Sequence, residues 1–88
     1  MFSKACEYGI RAAIFIAEQS LLDRKVSLKD VAEAIESPSA YTSKILQRLS
    51  KSNIINSDKG PTGGFSMAKS ELEKVKLSSI VYAIDGDS

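Results

Sequence analysis

Residues Asn56 to Phe65 read Asn-Ser-Asp-Lys-Gly-Pro-Thr-Gly-Gly-Phe, and few folds can accommodate that stretch. Three glycines and a proline fall between Gly60 and Gly64, a density that neither a helix nor a central strand accepts. Lys59 to Gly64 must therefore be the tip of a tight reversal. The short apolar runs on either side, Ile54-Ile55 and Phe65-Ser66-Met67, are then the two arms of a small hairpin. A glycine-rich loop can also cradle a nucleotide phosphate, but that use needs a Gly-Lys-Ser/Thr sequence and a helix opening directly behind the loop. The sequence has no such motif, and no helix start follows Gly64.

The residues before the hairpin have helical spacing. Ser3 can cap a first helix from Lys4 to about Leu22. Lys4, Glu7, Arg11 and Glu18 fall on its outer stripe, while Cys6, Ile10, Ala13, Ala17 and Leu21 form its apolar face, flanked by Ala5, Ala12 and Ile16. Gly9, Ala12 and Ala13 are small enough to let another helix approach closely. Cys6, on the apolar side, reads as a small buried hydrophobe and not as a reactive thiol. A polar turn, Asp23-Arg24-Lys25, leads through a short extended Val26 into Ser27-Leu28-Lys29-Asp30, which resembles a capping box with Asp in place of Glu. The second helix buries Leu28, Val31, Ala32 and Ile35 and turns Lys29, Asp30, Glu33 and Glu36 outward.

Ser37-Pro38 signals a third helix, with serine as cap and proline at the first helical position. Its inward stripe is Thr42, Ile45, Leu46 and Leu49, and Asn53 suits a left-handed end. Its outward side holds Ser39, Ala40, Ser43, Lys44, Gln47, Arg48 and Lys51, with Tyr41 near the start. Two helices joined by so short a turn make a helix-turn-helix, and a hairpin directly after it is a wing. The last stretch adds a charged turn at Ser70 to Lys74 and an edge strand at Val75-Lys76-Leu77. A short fourth helix, capped by Ser78 and burying Leu77, Ile80, Val81 and Ile84, leads to an acidic tail. The predicted fold is mainly α with a small β-hairpin: a winged helix-turn-helix of three helices, a two-stranded wing and a short fourth helix. Residues 1–88 form one domain.

Charge suggests what such a surface would bind. The net charge is only +1, yet between Pro38 and Lys69 the cations Lys44, Arg48, Lys51, Lys59 and Lys69 face Asp58 alone, a local balance of +4. That asymmetry suits a modest phosphate-binding face, although a solvated surface helix would also carry basic residues. Ser39 and Ser43 are short enough to let the third helix approach base edges, and Lys44, Gln47 and Arg48 reach bases or phosphates from farther along. Lys59, at the wing tip, is placed to enter a minor groove or pin a phosphate. Catalysis is not expected. The chain has no histidine, its one cysteine admits neither an internal disulfide nor a metal site of the usual soft ligands, and its carboxylates show no pairing for acid-base work. No apolar stretch is long enough to span a membrane and no leader is evident, so the expected location is cytoplasmic, with no membrane partner and no small-molecule substrate.

The chain resembles the Rrf-two family of bacterial winged-helix regulators, which includes the iron-sulfur cluster assembly regulator, a nitric-oxide-sensing repressor and a cysteine-metabolism repressor. The resemblance covers the whole chain. It rests on Glu7 to Ala12 (Glu-Tyr-Gly-Ile-Arg-Ala), Leu28 to Ala32, Ser39-Ala40-Tyr41, Ile45 to Leu49, Gly60 to Phe65 and Leu77 to Gly86, with the wing the most specific of these. It implies that the start of the third helix, at Pro38, Ser39, Tyr41, Ser43 and Lys44, reads the major groove of double-stranded DNA. It implies as well that the wing tip at Lys59, Gly60, Pro61 and Thr62 reaches the minor groove, and that Ser3 and Lys4 hold phosphate at the start of the first helix.

The chain departs from the family pattern in two ways. Thr42-Ser43-Lys44 stands where many relatives have Leu-Glu-Gln after the helix-3 tyrosine, so an acidic contact to bases is missing and operator sequence does not transfer. The cysteine-bearing sensor loop and long dimerisation helix that follow the Ala-Ile-Asp-Gly segment in sensing members are absent from this chain. It reads as the DNA-binding fragment of a longer regulator, the favoured alternative, or as a natural short form that dimerises some other way, and the intact protein is expected to be a homodimer. No cofactor is expected on it, since the iron-sulfur cluster of family members sits on cysteines that it lacks. The competing function is a winged-helix protein-interaction module without specific DNA binding, which scattered or salt-paired basic residues would favour.

Overall fold

The computed structural model describes residues 3–58, 63–67 and 84. In chain order it contains α1 (Lys4–Leu21), α2 (Leu28–Ile35), α3 (Ser39–Lys51), β1 (Asn56–Asp58) and β2 (Gly64–Ser66). The two strands pair antiparallel, with Asn56 opposite Ser66, Ser57 opposite Phe65 and Asp58 opposite Gly64. Val26 extends this sheet by one isolated bridge to Phe65, its N–H donating to the Phe65 carbonyl at 3.0 Å and its carbonyl accepting from the Phe65 N–H at 2.7 Å. The expected edge strand at Val75-Lys76-Leu77 and the fourth helix lie outside the described residues, apart from Ile84, which is helical and buried.

Local chemistry fixes the helix ends. Ser3 caps α1 by accepting from the Cys6 N–H at 3.1 Å. Ser27 and Asp30 close the expected capping box on α2: the Asp30 N–H donates to Ser27 Oγ at 3.1 Å and the Ser27 N–H to Asp30 Oδ2 at 3.0 Å. The bond from the Ser27 backbone, and then that from its side chain, hold the Asp30 carboxyl below the usual carboxylate range. All three helices end in one arrangement, a left-handed residue followed by a backbone N–H that reaches back to a carbonyl five residues earlier. The left-handed residues are Asp23 (φ 58°), Glu36 (φ 54°) and Asn53 (φ 62°). The closing bonds run from Arg24 to Gln19, Ser37 to Ala32 and Ile54 to Leu49, at 2.9, 3.0 and 3.0 Å. Of these left-handed positions, only Asn53 was expected.

Ser37 does not cap α3. Its N–H closes α2, and its hydroxyl donates to the adjoining Pro38 carbonyl at 3.4 Å instead of accepting an N–H of the first turn. The cap position belongs to Pro38, whose side chain supplies no hydrogen bond. The Pro38 carbonyl receives the Thr42 N–H and the Thr42 hydroxyl, each at 2.9 Å. The hydroxyl bond satisfies a Thr42 side chain that is fully buried.

The core joins Cys6, Ala12, Ala13 and Ile16 of α1, Val31 and Ile35 of α2, and Ile45, Leu46 and Leu49 of α3, with Val26, Ile54, Ile55, Met67 and Ile84. The stripes expected for α2 and α3 are the buried ones, except that Leu28 is only partly covered. Those expected for α1 and the wing need correction. On α1 the buried residues are Cys6, Gly9, Ala12, Ala13, Ile16 and Ser20; Ile10 and Ala17 are half-buried, and Leu21 is 64% exposed. The face has rotated toward its small residues because α1 is closely approached there. A Cβ at Gly9 would stand 2.7 Å from Ile84 Cγ1, and the Ser20 hydroxyl accepts the Met67 N–H at 2.8 Å. In the wing, Ile54 and Ile55 are buried core residues that precede the strand, because Ile54 is used to close α3. The strands are Asn56–Asp58 and Gly64–Ser66.

Candidate nucleic-acid interface

The outer side of α3 follows from its inward stripe. With Thr42, Ile45, Leu46 and Leu49 buried, the helical period turns Ser39, Ala40, Lys44, Gln47, Arg48 and Lys51 to solvent, with Ser43 and Tyr41 partly covered. Gln47 donates from Nε2 to Ser43 Oγ at 3.5 Å, a long contact that leaves the amide available to another acceptor. Lys44 and Gln47 therefore stand on the open side as expected. Arg48 is exposed as well, and its Nη1 donates to the carbonyl of Ile84, which ties the C-terminal half of α3 to that residue. Pro38 and Ser39 are exposed at the start of the helix.

The start of α1 lies beside the start of α3. The Tyr8 and Tyr41 rings meet edge to face, with centroids 5.6 Å apart and planes at 81°. The Arg11 guanidinium lies over the Tyr8 ring at 5.7 Å from its centroid. Ser3 and Lys4 are exposed at the N-terminal end of α1, and Lys4, Glu7, Tyr8, Ile10 and Arg11 border a shallow groove there. Two of the expected contact regions are thus neighbours through an aromatic pair. The third, Lys59, Gly60, Pro61 and Thr62, lies outside the described residues, although the strand register places those positions in the connection between Asp58 and Gly64.

Sequence reasoning did not single out Tyr8 and Arg11 for this site, nor Lys25. Helical spacing alone puts Tyr8 and Arg11 on one stripe with Lys4, but only the fold brings that stripe to Tyr41. Lys25 forms a salt bridge with Asp58, the single acid of the basic segment, and both side chains are about half exposed. Such an exposed pair adds little stability, about 0–1 kcal/mol. Its electrostatic effect is local: the Asp58 carboxylate at the end of β1 is matched by a cation from the α1–α2 turn.

Among the described residues, no group of three or more His, Cys, Asp or Glu is placed to hold a metal ion. No helix among them is long and apolar enough to cross a membrane. Nor does any cation of α3 form a salt bridge with Glu33 or Glu36, the pairing that would have disarmed the basic face.

Comparison with known proteins agrees with this arrangement. A putative HTH-type transcriptional regulator of Aquifex aeolicus is 33% identical over 81 residues, covering 92% of this chain and 54% of that protein. The chain therefore spans about half the length of that curated relative. The solved structure titled T. potens IscR superposes with a TM-score of 0.85 at 26% identity, over the whole of this chain and 63% of that one. CymR, the global cysteine regulator of B. subtilis, shares the fold with a TM-score of 0.84 at 20% identity, over 98% of this chain and 65% of that one. The model of the Rrf2 family, described as an iron-dependent transcriptional regulator, matches residues 2–88, and the chain belongs to that family.

Proposed function

We propose that this chain is the DNA-binding part of a sequence-specific transcriptional regulator. The observation that carries this reading is the outer face of α3, where small Ser39 and Ser43 lie at the reading end, Lys44 and Gln47 stand open, and no acid of α2 neutralises the cations. Short side chains let the first turn of the helix approach base edges in a major groove, and longer ones reach bases or phosphates behind it. Lys59, with Gly60, Pro61 and Thr62, takes the adjacent minor groove, and Ser3 and Lys4 hold a phosphate at the start of α1. The intact regulator acts in the cytoplasm as a homodimer, since two-fold operators call for two reading heads. The relatives' names support regulation, and none of the observations above favours a purely protein-docking role.

The family description raises iron, and the residues present do not fit it. Cys6 is the only cysteine and is fully buried in the core, and the chain has no histidine. One buried thiol cannot supply the cysteine set of an iron-sulfur cluster, and among the described residues no group of three or more His, Cys, Asp or Glu is placed to hold a metal ion, so DNA recognition by this chain is derived without one.

A gel-shift titration against promoter DNA and random duplex, repeated over a salt series, tests the reading. Affinity should fall steeply with salt. Lys59→Ala should weaken binding to most sequences, and Ser43→Ala should alter preference among them. Indistinguishable affinities for promoter and random duplex at moderate salt would remove the sequence-specific role.

A further inference from the structure

Tyr8 belongs to none of the DNA-contacting positions assigned above, yet it touches the one aromatic residue among them. Tyr41 is the third residue of α3 and sits between Ser39 and Ser43, where the helix would meet base edges. The first turn of α3 is short of local restraint. Pro38 at the cap gives no side-chain hydrogen bond, and the cap carbonyl is held along the helix axis by the Thr42 N–H and hydroxyl and, at 3.4 Å, by the Ser37 hydroxyl. The sideways restraint comes from α1, where the Tyr8 ring meets Tyr41 edge to face at 5.6 Å. On the Tyr8 ring, in turn, lies the Arg11 guanidinium at 5.7 Å, one helical turn along. Arg11, Tyr8 and Tyr41 thus form a stack that runs from α1 to the tip of α3. Rings suit this role because they have only two side-chain torsions to fix, and edge-to-face geometry defines an angle as well as a distance.

We infer that Tyr8 is a positioning residue for base reading: with Arg11 over its face, it holds Tyr41 and so sets the angle at which the first turn of α3 enters the groove. The inference deepens the DNA-binding reading above and rests on it. Hydrogen bonds to base edges weaken steeply when donor and acceptor tilt or separate, whereas attraction to phosphates tolerates such displacement. Loosening the stack should therefore damage the specific complex and spare the nonspecific one.

The test uses the 88-residue chain. A labelled duplex that the wild type selects from a random library, and a scrambled duplex of the same composition, are titrated by fluorescence anisotropy over a salt series. Tyr8→Leu should lower the selected-to-scrambled affinity ratio by about threefold to tenfold, the equilibrium worth of one edge-to-face pair, with the salt slope on scrambled DNA unchanged. Tyr8→Phe keeps the ring and should keep the ratio. Arg11→Met removes only the cation and should lower the ratio by about twofold, and it decides the matter alone should Tyr8→Leu fail to fold. Glu18→Gly, a destabilising change on the exposed side of α1, should leave the ratio intact, which separates positioning from loss of stability.

An unchanged ratio in Tyr8→Leu, or an equal loss in Tyr8→Phe, overturns the inference; so does an equal loss on both duplexes with a shallower salt slope, which would make the site a phosphate contact. A wild type that selects no preferred duplex removes the DNA-reading function itself and this inference with it. That outcome is distinct from a discriminating wild type matched by Tyr8→Leu.

Discussion

Gly9→Ala should reverse the sign of its effect according to what stands opposite it. On an isolated helix the change is favourable by about 0.5–1 kcal/mol, because glycine loses more backbone freedom than alanine on becoming helical. Here the added Cβ would lie 2.7 Å from Ile84 Cγ1 and 2.9 Å from Ile84 Cδ1, well inside van der Waals contact. Ile84 has little room to retreat, since it is 1% exposed and its carbonyl is held by Arg48. Overpacking of this kind costs about 1–3 kcal/mol, so the net change in the wild-type background is a loss of about 1 kcal/mol, or roughly 4–8 °C in Tm for a domain of this size. In an Ile84→Ala background both clashing atoms are gone, and Gly9→Ala should stabilise by about 0.5–1 kcal/mol. Urea unfolding followed by circular dichroism measures all four proteins, with a fixed concentration of TMAO added throughout to keep the Ile84→Ala pair folded. Stabilisation by Gly9→Ala in both backgrounds would refute the close approach of α1 to Ile84. Equal destabilisation in both would assign the clash to some other neighbour.

Three further changes test other parts of the fold. Gly64→Ala places a Cβ 2.8 Å from the Val26 carbonyl oxygen, a backbone atom that no rotamer can move, and should cost about 1–3 kcal/mol in thermal or urea unfolding. Glu36→Gly relieves an L-residue held at φ 54°, which costs about 1–2 kcal/mol, against the extra chain entropy of glycine, about 0.5–1 kcal/mol; a modest rise in Tm is expected, and a fall would contradict the left-handed cap. Asp30 has a folded pKa below its unfolded value of about 3.9, so its capping contribution is complete above that pH and is lost as pH falls through the folded pKa. The stability gap between wild type and Asp30→Asn should accordingly be widest near neutrality and close below about pH 4 in an acid titration.

Much of the helical layout is legible in single residues. The capping box at Ser27, the left-handed end at Asn53 and the buried stripe of α3 each follow from spacing that spans only a few positions, so local chemistry suffices to place them. What the sequence did not reveal depends on partners distant along the chain. On α1 the close approach at Gly9 was legible from the small residues there, but the stripe through Cys6, Ile10, Ala13, Ala17 and Leu21 gave too much weight to Ile10 and Leu21, because the partners that fix the buried face, Ile84 at Gly9 and the Met67 N–H at Ser20, are distant in sequence. The strands begin after Ile55 because Ile54 is drawn into closing α3, a bond invisible to a pattern of apolar pairs. At the candidate interface, the residues on the outside of α3 were legible from its period, whereas the meeting of Tyr8 with Tyr41 needs two helices to be placed in space. The bond from Arg48 to the Ile84 carbonyl also joins residues far apart in sequence, so the outward position of Arg48 was legible and that contact was not.

The bridge between Val26 and Phe65 has a consequence for the order in which this chain acquires its structure. The helices form from neighbours in sequence, but Val26 and Phe65 can meet only after the whole helix-turn-helix has folded back between them, so their pairing bears the entropy of a long closed loop. Contacts of that kind form late. Perturbing them, as Gly64→Ala does, should speed unfolding and leave the folding rate nearly unchanged in stopped-flow kinetics. Because Val26 directly precedes the Ser27 cap, the same late step that seats the base of the wing also settles the entrance to α2. One contact thus ties the base of the wing to the entrance of α2, so loosening the bridge should disturb both together.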